Sequence, residues 1–416
     1  MSASQILAYG DGPSQNDNQT RYYAVSGCID SASESATEAD RQVTWRESGT
    51  AANLFLRVLT NTCTVTSVFV LRVNGASSAL TLNVTADATG EFEDITHAVS
   101  LADGDEVCYQ LAIPTEAGTN SMACSVTGMT FTASSNTATV VTTPESTNVG
   151  TASATRYFSV VASPATATEA AATCALEGTD GFVVSNLFVY VSANARTNNT
   201  VFVSRNNGFD GNLTVTFGST ETGIKEDTSN SDTIIGGYCL KATTGAGTET
   251  ITIQQRAVTL TSMRTFTMIG NTLSGAYAPV AGVTNYFHCG KLAAATTTEA
   301  SAQLLSRITC TLRDLQVEVS ANTVTTSATT IKSRINGADG NQIVSFAAAE
   351  TGAKSDASNT DAIMAGSSRY CLQVIVPATT GAITFRNAAL FGESAAGVGA
   401  QRRLILNQSV SRASIH

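Results

Sequence analysis

A chain of 416 residues, 43% of them hydrophobic, has material for real cores and at this length divides into about two to four domains. Charged residues make up only 13%, so Thr, Ser, Asn and Gly must build most of the polar surface, which suits strands, turns and surfaces that assemble. A formal charge of -10 and a pI near 4.8 argue against nucleic-acid binding, and no apolar run reaches the ~18 residues of a membrane-spanning helix.

Residues 1–19 read as an N-terminal arm, rich in Ser, Asn, Gly and Asp. They lack the positive and apolar regions of a secretion signal, so the expectation is synthesis in a cytoplasm without export. Asp11 and Asp17 are too sparse for a calcium loop. A first unit then spans residues 20–134. It opens with Thr-x-Tyr-aromatic ("TRYYAV") and continues with Thr-Glu-Ala at Thr37–Ala39 and an alternating strand, "NLFLRVLTNT". In that strand Leu54, Leu56 and Val58 fall on one face, and Phe55, Arg57 and Leu59 on the other. The motif Arg72-x-Asn74-Gly75 follows, then Thr89-Gly90-x-x-x-Asp94, a strand containing Cys108, and a closing strand "GMTFTAS".

The same order recurs twice. A second unit, residues 155–262, has "TRYFSV", Thr168–Ala170, "NLFVYVSANA", Arg205-x-Asn207-Gly208, Thr222-Gly223-x-x-x-Asp227, Cys239 and "AVTLTS". A third unit, residues 284–393, has "TNYFHC", Thr298–Ala300, "DLQVEVSANT", Arg334-x-Asn336-Gly337, Thr351-Gly352-x-x-x-Asp356, Cys371 and "AALFGE". Tyr22 and Tyr157 are 135 residues apart, and Tyr157 and Tyr286 are 129 apart, a period of tandem domains rather than of a solenoid. Boundaries are expected near 134–154 and 263–283. Short alternating runs of Val, Ile, Thr, Phe and Tyr, broken by Asn-Gly, Asp-Gly and Thr-Gly, make each unit all-β. About seven or eight strands per unit suit a sandwich, with a jelly roll preferred.

The repeated motif reads as scaffold. Asn-Gly accepts positive φ at both turn positions and closes a tight hairpin, and the Asp ties down the loop behind Thr-Gly through its side chain. A surface role for the repeated Arg and Asp residues stays open. Cys108, Cys239 and Cys371 sit in apolar strands beside a Tyr and read as buried free thiols. The other six of the nine cysteines do not align across the units, and no CxxC suggests a metal. His97, His288 and His416 do not repeat. The carboxylate clusters Glu91/Glu93/Asp94 and Asp103/Asp105/Glu106 do not recur fully in the other units, and Asp103-Gly104-Asp105 reads as a turn. No catalytic, cofactor or metal constellation emerges.

The last segment, residues 394–416, is a tail. Its final sixteen residues carry Arg402, Arg403 and Arg412, no acid, and the apolar trio Leu404, Ile405 and Leu406. On an acidic chain this reads as a strand made to lie on a neighbouring molecule.

Arg-x-Asn-Gly, a Thr-rich strand, Thr-Gly-x-x-x-Asp and Gly-Asp-x-Val-x-Tyr together, as in "SVFVLRVNGASSALTLNVTADATGEFEDITHAVSLADGDEVCYQL", resemble structural proteins of tailed bacteriophages. Units 2 and 3 depart from the pattern after the Asp, lacking the Gly-Asp pair. The resemblance implies a non-enzymatic virion protein of jelly-roll modules: a capsid-decoration, neck or tail component. It would need no cofactor and would bind other virion proteins and itself, as a homo-oligomer such as a trimer. The alternative is a carbohydrate-binding fibre or adhesin, which would need exposed aromatics grouped at one end of a domain.

Overall fold

Alternation in the sequence becomes alternation in space. A computed structural model describes residues 4–9, 14–25, 34–116, 118–134, 139–149, 154–158, 165–169, 174–175, 182–234, 237–245, 247, 249–262, 266–279, 281–287, 296–307, 309–378, 381–393 and 405–408. Nearly all regular structure is strand. The exceptions in the described residues are the single turns Glu38–Asp40 and Glu299–Ala302 and the helical Glu169, and each holds the Glu of the Thr-Glu-Ala motif.

Unit 1 contains β1 (Ser4–Tyr9), β2 (Ser14–Asn16), β3 (Gln19–Tyr23), β4 (Val43–Thr44), β5 (Gly49–Asn61), β6 (Ser67–Val73), β7 (Ala76–Val84), β8 (Gly90–Leu101), β9 (Glu106–Ile113) and β10 (Ser121–Ala133). One sheet runs β8-β5-β10-β1 and the other β3-β9-β6-β7, with β2 added to β10 and β4 to β9. Unit 2 contains β11 (Thr139–Asn148), β12 (Thr155–Phe158), β13 (Cys174–Ala175), β14 (Phe182–Asn194), β15 (Thr200–Asn206), β16 (Phe209–Phe217), β17 (Gly223–Ile234), β18 (Gly237–Thr244) and β19 (Ile251–Ser262). Its sheets run β11-β19-β14-β17 and β12-β18-β15-β16. Unit 3 contains β20 (Phe266–Tyr277), β21 (Thr284–Phe287), β22 (Leu304–Leu305), β23 (Cys310–Asn322), β24 (Thr329–Ile335), β25 (Ala338–Phe346), β26 (Gly352–Ile363), β27 (Arg369–Ile375) and β28 (Ile383–Glu393). Its sheets run β26-β23-β28-β20 and β21-β27-β24-β25.

Setting aside the two-residue strands and β2, each unit has eight strands in one topology. The first, eighth, third and sixth form one sheet; the second, seventh, fourth and fifth form the other. That is the jelly roll. One apolar cluster fills the space between the two sheets of each unit. In unit 1 it includes the single Trp, with Trp45 edge-on to Phe131 at 4.8 Å. The aromatic after each repeated Tyr points into it: Tyr23, Phe158 and Phe287 are all buried.

Each unit begins earlier than Thr-x-Tyr-aromatic suggests. The arm and the two inter-unit segments supply the first strand of each jelly roll, and that strand pairs antiparallel with the eighth: Ser4 opposite Thr132, Thr139 opposite Leu260, Phe266 opposite Glu393. The three first strands share no motif. They are edge strands within their units, where side-chain demands are weakest. β11 even holds Pro144, beside a register shift, where an edge tolerates a missing donor.

The tail forms a strand, β29 (Ile405–Gln408), but its partners lie in the same chain. It pairs parallel with β1 on one side and with β20 on the other, fusing a sheet of unit 1 to a sheet of unit 3. Sequence alone points Ile405 and Leu406 at a neighbouring molecule. Two parallel edges of this chain offer the same backbone pairing, and the strand is seated there. Arg402, Arg403 and Leu404 lie outside the described residues.

Candidate functional site

The repeated Arg-x-Asn-Gly hairpins are the most polar recurrent feature of the molecule. Asn74 and Gly75 have φ of 51° and 76°, Asn207 and Gly208 50° and 85°, and Asn336 and Gly337 52° and 82°. Positive φ at both positions gives the hairpin turn whose twist matches the strands. The Asn side chain does a second job. Its Oδ1 accepts the backbone N–H that opens the next strand over: Glu106 at 2.9 Å, Gly237 at 2.8 Å and Arg369 at 2.7 Å. The turn is thereby pinned to the seventh strand.

The Arg binds the Glu of Thr-Glu-Ala in a two-point fork. Arg72 Nε and Nη2 each lie 3.0 Å from a Glu38 oxygen. Arg205 reaches Glu169 at 3.0 and 2.7 Å, and Arg334 reaches Glu299 at 3.1 and 2.8 Å. Each Arg also donates to the carbonyl of its turn Gly, and the third nitrogen goes to Ser77, Asp210 or Asp339. The glutamate bonds hold all three guanidinium pKa values above the ordinary range. Two motifs that recur separately in the sequence are thus two halves of one ion pair. Nothing in the spacing shows this, because the halves are 34 to 36 residues apart.

Asp94, Asp227 and Asp356 are buried and work on the backbone. Each accepts the N–H of a residue on the preceding strand: Thr81 at 3.3 Å, Thr214 at 2.8 Å and Ile343 at 2.9 Å. Each also holds the residues two and three positions onward, Thr96 and His97, Ser229 and Asn230, Ser358 and Asn359. Burial pushes these carboxyls up. The opposing bonds from His97 or the equivalent Asn and from the surrounding N–H groups outweigh it, leaving Asp94 and Asp356 at about 2 and Asp227 below the usual range.

The structure adds a contact that sequence reading missed. Arg46, three residues after the start of β4, lies 4.7 Å over the ring of Phe188 in unit 2 and 2.8 Å from Glu226. Arg307, three residues after the start of β22, lies 4.6 Å over the ring of Phe55 in unit 1 and 2.5 Å from Glu93. Phe55 and Phe188 hold the same place in their units, as do Glu93 and Glu226. Unit 3 therefore grips unit 1 as unit 1 grips unit 2, in head-to-tail fashion. Further bonds reinforce both contacts. Arg57 donates to Gln303 and Ala300 carbonyls at 2.7 and 2.5 Å, and Arg369 pairs with Glu91 at 2.5 Å. Gln255 Nε2 donates to the Thr44 carbonyl and its Oε1 accepts the Thr44 N–H, each at 2.9 Å. Phe55, placed outward by alternation, is buried because it packs into the core cluster of unit 3.

The remaining candidates resolve as follows. Glu91 and Glu93 serve the contact between units 1 and 3, and Asp94 serves its own loop. Asp103-Gly104-Asp105 is a turn, with Gly104 at φ 94° and the Asp105 carboxylate accepting the Ala102 N–H. His97 is bonded to Asp94 at 2.9 Å, whereas His288 and His416 lie outside the described residues. Cys108, Cys239 and Cys371 are buried, and none of them is in a disulfide. No group of three or more metal-ligating side chains occurs among the described residues. No protein-family model matches this chain, and no curated protein matches it either.

Proposed function

We propose that this chain is a non-enzymatic structural protein of a tailed-bacteriophage particle, acting by binding other virion proteins as a capsid-decoration, neck or tail component. The observation that carries the reading is how the recurrent polar residues are used. Every repeated Arg, Asn, Glu and Asp is spent on internal bonds that stiffen a hairpin or a loop. The polar residues shared by only two of the units, Arg46 with Arg307 and Glu93 with Glu226, join jelly roll to jelly roll. A chain that invests its polar chemistry in rigidity and in module-to-module contact suits an assembly component. The motif resemblance supplies the kind of assembly. A glycan-binding fibre would gather exposed aromatics; of the exposed large apolar side chains among the described residues, only Phe209 is aromatic.

The test is to purify particles from an infected culture, quantify this chain against the major shell protein by mass spectrometry, and locate it with a labelled antibody. The expected result is a fixed copy ratio and a single site on the particle. Complete, infectious particles that lack the chain would refute the reading.

A further inference from the structure

We propose that the C-terminal strand is exchangeable, and that copies of this protein join by seating the β29 strand of one copy between β1 and β20 of another. The proposal stands on the strand's geometry and does not rest on the virion reading. The slot has an unusual form: two parallel edges from different jelly rolls, 262 residues apart in the chain at Ser4 and Phe266, with one short strand between them. Four residues of β29 face β1, with Ile405 opposite Ile6 and Asn407 opposite Ala8, and two face β20, with Ile405 opposite Ile269. So short a strand is held by few ladder bonds, and its release exposes two edges that both need a partner.

The tether permits the exchange. Residues 394–404 join β28 to β29, contain Gly397 and Gly399 and no Pro, and at ~3.5 Å per residue can extend to roughly 35–40 Å. Charge favours any acidic acceptor. Arg402, Arg403 and Arg412 flank the strand without an acid among residues 401–416, on a chain of net charge -10. The bonds made in exchange are those made at home, so the balance is set by concentration. A covalent tether this short supplies an effective concentration of about millimolar. The closed form therefore dominates in dilute solution, and exchange grows where copies are crowded, as during assembly.

The test uses the register directly. A full-length Ala8→Cys variant is mixed with a full-length Asn407→Cys variant under mild oxidation, over micromolar to near-millimolar protein. Each single variant alone measures the background from native thiols, and the double variant reports in-chain closure. The expected result is in-chain closure of the double variant at low concentration, with a covalent dimer in the mixture that exceeds both backgrounds and rises with concentration. If the double variant closes but the mixture gives no dimer above background at any concentration, the strand does not exchange. If the double variant does not close either, the β1–β29 pairing is absent and the proposal falls with it.

Discussion

Replacing Asp356 by Ala should cost unit 3 about 3 kcal/mol at neutral pH. Asp356 accepts bonds from the Ile343 N–H at 2.9 Å, the Ser358 N–H at 3.2 Å and hydroxyl at 3.0 Å, and the Asn359 N–H at 3.1 Å and side-chain amide at 2.8 Å. A bond to a charged acceptor contributes about 1.5–3 kcal/mol. Ser358 and Asn359 are exposed, so water takes over most of their loss. What remains is the tie across strands to Ile343 and the order of the loop. An independent route gives a similar figure. With its carboxyl held at about 2 in the folded chain, against about 3.9 unfolded, Asp356 contributes about 2.5 kcal/mol at pH 7. Because the folded value is the lower one, that contribution is complete above about pH 5 and is lost as the pH falls through about 2. Urea unfolding at pH 7 and across the acid limb measures both effects. The variant should be less stable at pH 7 and lose less than the parent between pH 4.5 and 2.5. Asp356→Asn, keeping one acceptor, should fall between. A loss under about 1 kcal/mol, or an acid limb identical to the parent's, would refute the account of this loop.

Arg307→Ala removes both the ring contact with Phe55 and the ion pair with Glu93, and should weaken the hold between units 1 and 3 by about 1–2 kcal/mol. Small-angle scattering should then show a larger radius while the unfolding of each unit is unchanged. Cys108, Cys239 and Cys371 should resist thiol reagents in the native protein, since burial hides all three and pushes the Cys371 thiol up to about 12; rapid modification of all three, read by mass spectrometry, would contradict this. Two glycines three residues apart should respond differently to Ala. At Gly337 no atom lies within 4 Å of the new Cβ, so only the strain of φ +82° counts, about 1 kcal/mol. At Gly340 the Cβ would collide with Ser333 Oγ and Asp361 Oδ2, a buried bonded pair, and the cost in thermal unfolding should be about 3 kcal/mol or more.

The parts of the fold legible in the sequence were those with local causes. Asn-Gly demands its turn from two residues alone, and alternation in "LFLRVL" shows which side chains are buried within unit 1. The first strand of each jelly roll was not legible. Its place is fixed by pairing with a strand more than 100 residues later, and an edge strand asks little of its side chains. The Arg–Glu fork was half legible, as two recurrences whose meeting depends on the fold. Alternation assigns Phe55 a face but does not say whether another unit covers it.

The two gripping contacts also explain why three jelly rolls gain from sharing a chain. Apart from Phe55 seated on the core of unit 3 and the β29 strand shared by units 1 and 3, each contact is one guanidinium on one ring with a partly exposed ion pair, plus a few hydrogen bonds. Contacts of that kind contribute about 1 kcal/mol apiece and would not hold separate molecules together at micromolar concentration. Joined by linkers, the units meet at an effective concentration of about millimolar, and weak contacts suffice. Tethering also frees the sequence from symmetry. At the position of Arg46 and Arg307 unit 2 has Glu177, and at the position of Phe55 and Phe188 unit 3 has Gln316. Three identical subunits would have to use one residue at all three places. A single chain can keep the Arg–Phe grip where unit 3 meets unit 1 and unit 1 meets unit 2, and put different chemistry on the two faces left over.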